Sequence, residues 1–143
     1  MENCVLSFRA VSNGTGLRLT VRLDHDIIFN QLITQDAITV NHEFDDTIQQ
    51  AHLLEFELSG KQPQHTMLDA DNNIIQDLLL TVDNIQFDDI SLDATVSKLG
   101  KYRHNFNETK QSICQNFYGS MGCNGTLSFE FSSPAYIWLL ENM

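Results

Sequence analysis

Apolar side chains recur at every second position along this chain, and that period decides most of what it can fold into. Leu17, Leu19, Val21 and Leu23 alternate with Arg18, Thr20 and Arg22, the pattern of a strand with one face buried and the other in water. The same period returns in Ile38, Val40, His42 and Phe44, in Leu54, Phe56 and Leu58 against Glu55, Glu57 and Ser59, and in Leu127, Phe129 and Phe131. One-faced strands of this kind belong to antiparallel sheets. Turn signals separate them: Asn13-Gly14-Thr15-Gly16, Ser59-Gly60-Lys61-Gln62-Pro63, Asp69-Ala70-Asp71-Asn72-Asn73, Gly119-Ser120-Met121-Gly122 and Ser132-Ser133-Pro134. Asn124-Gly125 stands directly before a strong strand and suits positive φ at both residues, which predicts a tight hairpin between Met121 and Thr126.

Two stretches leave alternatives open. Between Ile74 and Ile90, one strand leaving the Asp69 turn and a second around Ile85 both fit the apolar residues. Near the C-terminus, Tyr136-Ile137-Trp138-Leu139-Leu140 is apolar on both faces, as in a central buried strand or a surface that another chain covers. No comparably long segment carries the helical period. About seven to ten short strands without helical crossovers give an all-β fold, a single-domain antiparallel β-sandwich of jelly-roll type over residues 1–143, because each apolar face must be buried against another sheet. A chain of 143 residues is long enough for one such core.

Charge narrows the partners. With 8 Lys and Arg against 19 Asp and Glu, the net charge is −11, and such a surface repels the phosphates of a nucleic acid. No apolar run approaches the roughly 18 residues of a membrane helix, so no membrane insertion is expected. The start, Met1-Glu2-Asn3-Cys4, has no basic segment before an apolar one, so no secretion signal is expected. Cys4, Cys114 and Cys123 are an odd number without a CxxC pair, which suits a reduced compartment.

The richest chemical feature is the carboxylate series Asp69, Asp71, Asp77, Asp83, Asp88, Asp89 and Asp93, since oxygen-rich clusters bind calcium. Asp69 to Asn73 matches the opening of a helix–loop–helix calcium loop, but Ile74 replaces the required glycine and Leu80 the bidentate glutamate. The ordinary reading is a turn in which Asp and Asn bond their own backbone; the alternative is calcium at that turn or at Asp88 and Asp89. His25, His42, His52, His65 and His104 are scattered singly, without metal-ligand spacing. Ser120 and Cys123 sit in glycine-rich turns that lack the context of an activated nucleophile. Asn13-Gly14-Thr15, Asn107-Glu108-Thr109 and Asn124-Gly125-Thr126 are formal glycosylation sequons and read as turns. Tyr102, Phe106, Phe117, Tyr118, Tyr136 and Trp138 suit core packing, or sugar stacking if Trp138 or Tyr118 is exposed.

Taken together, the block from Leu58 to Thr66, the turn from Asp69 to Asp77, Val82-Asp83-Asn84-Ile85-Gln86-Phe87-Asp88-Asp89-Ile90, the glycine-rich stretch from Phe117 to Thr126 and the ending Pro134 to Met143 resemble a family of small proteins encoded by tailed phages, especially cyanophages and other marine phages. The resemblance covers about residues 50–143. It implies a virion structural protein: capsid decoration or cement, or a tail accessory. The stretch from Leu58 to Lys61 followed by Val82 to Ile90 also resembles calcium-dependent β-sandwich carbohydrate-binding modules, which would carry a ligand role onto Asp83, Asp88 and Asp89.

The first expectation is therefore a non-enzymatic phage virion protein. It would bind other phage structural proteins through Tyr136, Ile137, Trp138, Leu139 and Leu140, in the virion and with copies that can self-associate. The second is a carbohydrate-binding module that holds a surface glycan, with calcium as its cofactor at Asp69, Asp71, Asp83, Asp88 and Asp89. A small hydrolase is the third, and no catalytic motif supports it.

Overall fold

The computed structural model describes residues 3–46, 51–61, 66–71, 74–104, 113–116, 119–121 and 124–142. Along the chain these form β1 (Asn3–Ser12), β2 (Leu17–Leu23), β3 (Asp26–Ile33), β4 (Ile38–Asp45), β5 (Ala51–Ser59), β6 (Thr66–Leu68), β7 (Ile74–Asp77), β8 (Leu80–Phe87) and β9 (Ile90–Ser91). There follow α1 (Asp93–Leu99), β10 (Lys101–His104), β11 (Ile113–Asn116), β12 (Ser120–Met121), β13 (Gly125–Ser132) and α2 (Ala135–Asn142). One sheet runs β12-β8-β1-β4 with β9 added beside β8, and the other β11-β10-β13-β5-β2-β3, while β6 and β7 make a separate hairpin. Every pairing is antiparallel. The chain is an antiparallel β-sandwich of jelly-roll type, with successive strands passing repeatedly from one sheet to the other.

Inward residues of both sheets form one core. Cys4, Leu6, Phe8 and Ala10 of β1 face Leu17, Leu19 and Val21 of β2, Leu54, Phe56 and Leu58 of β5, and Leu127, Phe129 and Phe131 of β13. Phe8 meets the edge of Phe56 at 5.2 Å and of Phe29 at 6.0 Å, an arrangement that aligns ring edges with the opposing π faces. The outer face of the second sheet is polar and cross-paired, as where the Arg22 guanidinium donates to Glu57 at 2.5 Å.

In β8 the alternation changes phase. Leu80 and Val82 point inward, then Ile85 and Phe87, because a bulge opposite β1 between Ser7 and Arg9 absorbs one extra residue. Asn84 carries the positive φ of 52°. Asp93, at the start of α1, holds the bulge: its two carboxylate oxygens accept the N–H groups of Asn84 at 3.1 Å and Ile85 at 2.9 Å. Both open alternatives for Ile74 to Ile90 are thus realised, one strand before the bulged strand and one containing it.

Three expectations need correction. Met121 to Thr126 is not a hairpin, since β12 pairs with β8 and β13 with β5 and β10 in the opposite sheet. Asn124 instead bridges loops: its Oδ1 accepts the Lys61 N–H and its Nδ2 donates to the Lys61 carbonyl, and Gly125 lies so close to the Arg103 carbonyl that a Cβ there would collide with it. Tyr136 to Leu140 is neither a strand nor apolar on two buried faces, but part of a helix. Two short helices therefore exist among the described residues where the period suggested none; α1 joins the two sheets after β9.

Replacing Asp93 by Ala leaves two bulge amides without their acceptor. Urea denaturation of Asp93→Ala should show a loss of about 1–3 kcal/mol with little change in slope; unchanged stability would mean that the bulge holds its phase without this carboxylate.

Candidate functional site

Helix α2 packs against β13 and shapes a surface of mixed polar and apolar groups. Its N-terminus is held from another element: the Ala135 N–H donates to Asp46 Oδ1 at 2.8 Å, which places a carboxylate at the positive end of the helix. At the other end Asn142 Nδ2 donates to the Trp138 carbonyl at 2.8 Å. Ala135 and Leu139 are buried, Trp138 is half-buried, and Ile137 and Leu140 stand in solvent at 50% and 61% exposure. The proposed interface segment is thus split by the helix between core and surface. The Tyr136 side chain lies outside the described residues.

Beside α2 runs a groove of about 330 Å³, lined by Ala51, Ser132, Ser133, Pro134, Ile137, Trp138 and Glu141. The Trp138 ring stands edge-to-face with Phe129 at 5.4 Å and with Phe131 at 6.3 Å, which fixes its orientation. Behind it Phe131 packs on Phe87 at 4.7 Å and on Phe44 at 5.7 Å, and His52 stacks on Phe131 at 5.0 Å. His52, buried, is tied to Asp24 of the β2–β3 turn, Nδ1 to Oδ2 at 2.6 Å. The carboxylate accepts from Nδ1, and Nε2 has no hydrogen-bond partner among the described residues. His52 lines neither this groove nor the cleft below, so the Asp–His pair braces the wall behind Trp138.

Burial alone would raise the Asp24 carboxyl, but the hydrogen bonds from His52 and from the Leu53 N–H, with the charges of His52 and His25, outweigh it and hold the group below its ordinary 3.8. A depressed carboxyl stabilises the fold above its unfolded-state value and loses that contribution as pH falls through the folded value.

A second cleft, about 310 Å³, lies between β8, α1 and β12, with Thr81, Asp83, Asp93, Ser97 and Ser120 over a floor of Val82, Ile85 and Val96. Its two carboxylates are already engaged: Asp83 accepts the Arg9 guanidinium with both oxygens, at 3.0 and 3.2 Å, and Asp93 holds the bulge. A smaller cavity of about 240 Å³ includes Cys4, Asp46, Phe87, Asp88 and Leu139. Burial, reinforced by the negative charges of Asp88 and Asp46, pushes the Cys4 thiol up to about 12, which keeps it protonated and unreactive.

The structure spreads the five aspartates proposed for calcium. Asp69 and Asp71 sit between β6 and β7, where the Asp71 N–H donates to Asp69 Oδ1 at 2.9 Å. Asp83 lies midway along β8. Asp88 and Asp89, with φ of 48° and 70°, form the two-residue turn from β8 to β9, and Asp88 Oδ1 accepts the Val5 N–H at 2.8 Å. Among the described residues, no group of three or more His, Cys, Asp or Glu is placed to hold a metal ion. Asn13, offered as a sequon, uses both ends of its amide on the Asp77 carbonyl and the Leu79 N–H. Phe106, Phe117, Tyr118, Cys123 and the sequon at Asn107 lie outside the described residues, as does the side chain of Cys114. No helix among those described is long and apolar enough to cross a membrane.

Of the groove's lining, the sequence marks Ile137 and Trp138 as interface candidates, Ser132, Ser133 and Pro134 as a turn, and Pro134 and Glu141 as part of the C-terminal resemblance, and it gives Ala51 no role. No periodic signal marks them, because the groove exists only where α2 folds back over the end of β13.

No family model matches the chain, and no curated protein matches it. Among solved structures, that of vCBM60 in complex with galactobiose is similar, with a TM-score of 0.47 and 12% identity, covering 90% of this chain and 97% of that one. At that distance no function passes from one chain to the other.

Two outcomes follow from this geometry. The stability difference between the wild type and Asp24→Asn, measured by urea denaturation across acid pH, should be largest near neutrality and shrink as pH falls through about 4 and below; a constant difference would remove Asp24 from the acid response. Since Asp69, Asp83 and Asp88 already accept protein donors, millimolar calcium should leave the melting temperature unchanged, and a rise of several degrees would show an ion held by the native state.

Proposed function

We propose that this β-sandwich is a non-catalytic carbohydrate-binding module whose site is the α2 groove. The observation that carries the reading is Trp138, packed at steep interplanar angles of 89° on Phe129 and 68° on Phe131 while lining a groove that also offers Ser132 and Glu141. A pyranose presents apolar C–H faces and a rim of hydroxyls. An oriented aromatic ring with hydroxyl and carboxylate groups at its border matches both, and the remaining lining, Pro134 and Ile137, extends the apolar part. The carboxylates of the α1 cleft, by contrast, are engaged within the fold, Asp83 with Arg9 and Asp93 with the bulge amides.

The groove sets this reading apart from docking of α2 on a virion surface. Among the described side chains of the helix, Leu140 is the most exposed apolar one, and it does not line the groove. Protein docking would draw on it, and sugar binding would not.

Titration with a panel of oligosaccharides that includes galactobiose should reveal a ligand. Against that ligand Trp138→Ala should lose at least about tenfold in affinity, some 1.4 kcal/mol, while Leu140→Ser keeps it. Thermal melts separate loss of the site from loss of the fold, and Trp138→Phe, which keeps an aromatic ring against Phe129, gives an intermediate affinity. Absence of binding across the panel, or equal affinity in folded Trp138→Ala, overturns the reading.

A further inference from the structure

We infer that the α2 groove prefers an amino sugar, a hexose carrying a protonated amine, over neutral and acidic sugars; this rests on the carbohydrate reading of the same groove. Trp138 and Glu141 are three residues apart on α2, hence neighbours on the helix surface, and both line the groove. An ammonium between them meets an indole on one side and a carboxylate on the other, and the attraction of a cation to an indole face extends to about 6 Å.

The last turn of α2 holds Glu141 and no basic residue, so the helix brings no positive side chain to the groove. The lining contains no Lys, Arg or His, and the chain as a whole carries a net charge of −11. A uronic acid would bring its carboxylate against Glu141 in a field of its own sign. A neutral hexose would gain the stacking and hydrogen bonds alone. An amino sugar gains these and the charge attraction, with its ring on Trp138 and its remaining hydroxyls toward Ser132.

The test compares oligomers of one backbone that differ at one substituent: β-1,4-linked glucosamine, glucose and glucuronate, titrated by calorimetry at mildly acidic pH and low salt. The glucosamine oligomer should bind at least about tenfold tighter than the glucose oligomer, and the glucuronate oligomer weakest. The preference should shrink as salt is raised and fall to about onefold in Glu141→Gln. Equal affinity for glucosamine and glucose oligomers overturns the inference and leaves the carbohydrate reading standing. So does a preference that survives in Glu141→Gln. If no oligomer binds, here or in the wider panel, both fall. If oligolysine binds as tightly as the glucosamine oligomer, the groove is a general cation site and the sugar is not what it selects.

Discussion

The two hydrogen bonds that the amides of Asn84 and Ile85 donate to Asp93 stand at the head of a chain of dependencies. They hold a bulge that shifts β8 by one residue, and the side-chain period of a strand is two, so everything after the bulge changes face. Without the shift Phe87 would point to solvent. With it, Phe87 joins Phe44 and Phe131 in one aromatic cluster, and Phe131 is one of the two rings that orient Trp138. A carboxylate on α1 therefore reaches the groove on the opposite helix through packed rings alone.

The same economy appears at the other polar contacts inside the molecule. Asp24 both accepts the Leu53 amide and anchors His52. Asp46 holds the first amide of α2. Lys61, its side chain fully buried, donates to Asp77 at 2.5 Å and to the Leu78 carbonyl at 2.6 Å. Each joins segments distant in sequence, and each has its charge or donors met by specific partners, the condition under which a buried polar group is tolerated. Much of the acidic excess that reads as a cation site in the sequence is used in this way, on backbone amides, turns and single cationic partners.

How far the fold was legible depended on the strand. β2, β5 and β13 were plain because polar and apolar residues alternate without interruption. β1 carries an equally clean inward set, Cys4, Leu6, Phe8 and Ala10, but Val5 and Val11 on the outer face blurred the contrast. β3 is an edge strand with its own bulge opposite Val21 and Arg22, so Ile27 and Leu32 stand exposed and the apolar run Ile27-Ile28-Phe29 obeys no simple period. The hairpin turns at Asp24-His25 and Asp88-Asp89 use positive φ at residues other than glycine, which left no Gly signal to read.

The sequence by itself determined the class of fold, because alternating one-faced strands without long amphipathic helices to cover them bury their apolar faces sheet against sheet, and it determined a net charge of −11. Only the tertiary structure decided whether the apolar segment from Tyr136 to Leu140 became strand or helix, since a short run that is apolar throughout carries neither period; the Asp46 contact and the closed core beneath it select the helix. The groove was settled there too. Its Ser132 meets Trp138 and Glu141 only when α2 turns back across the end of β13, a relation between elements that no spacing along the chain records.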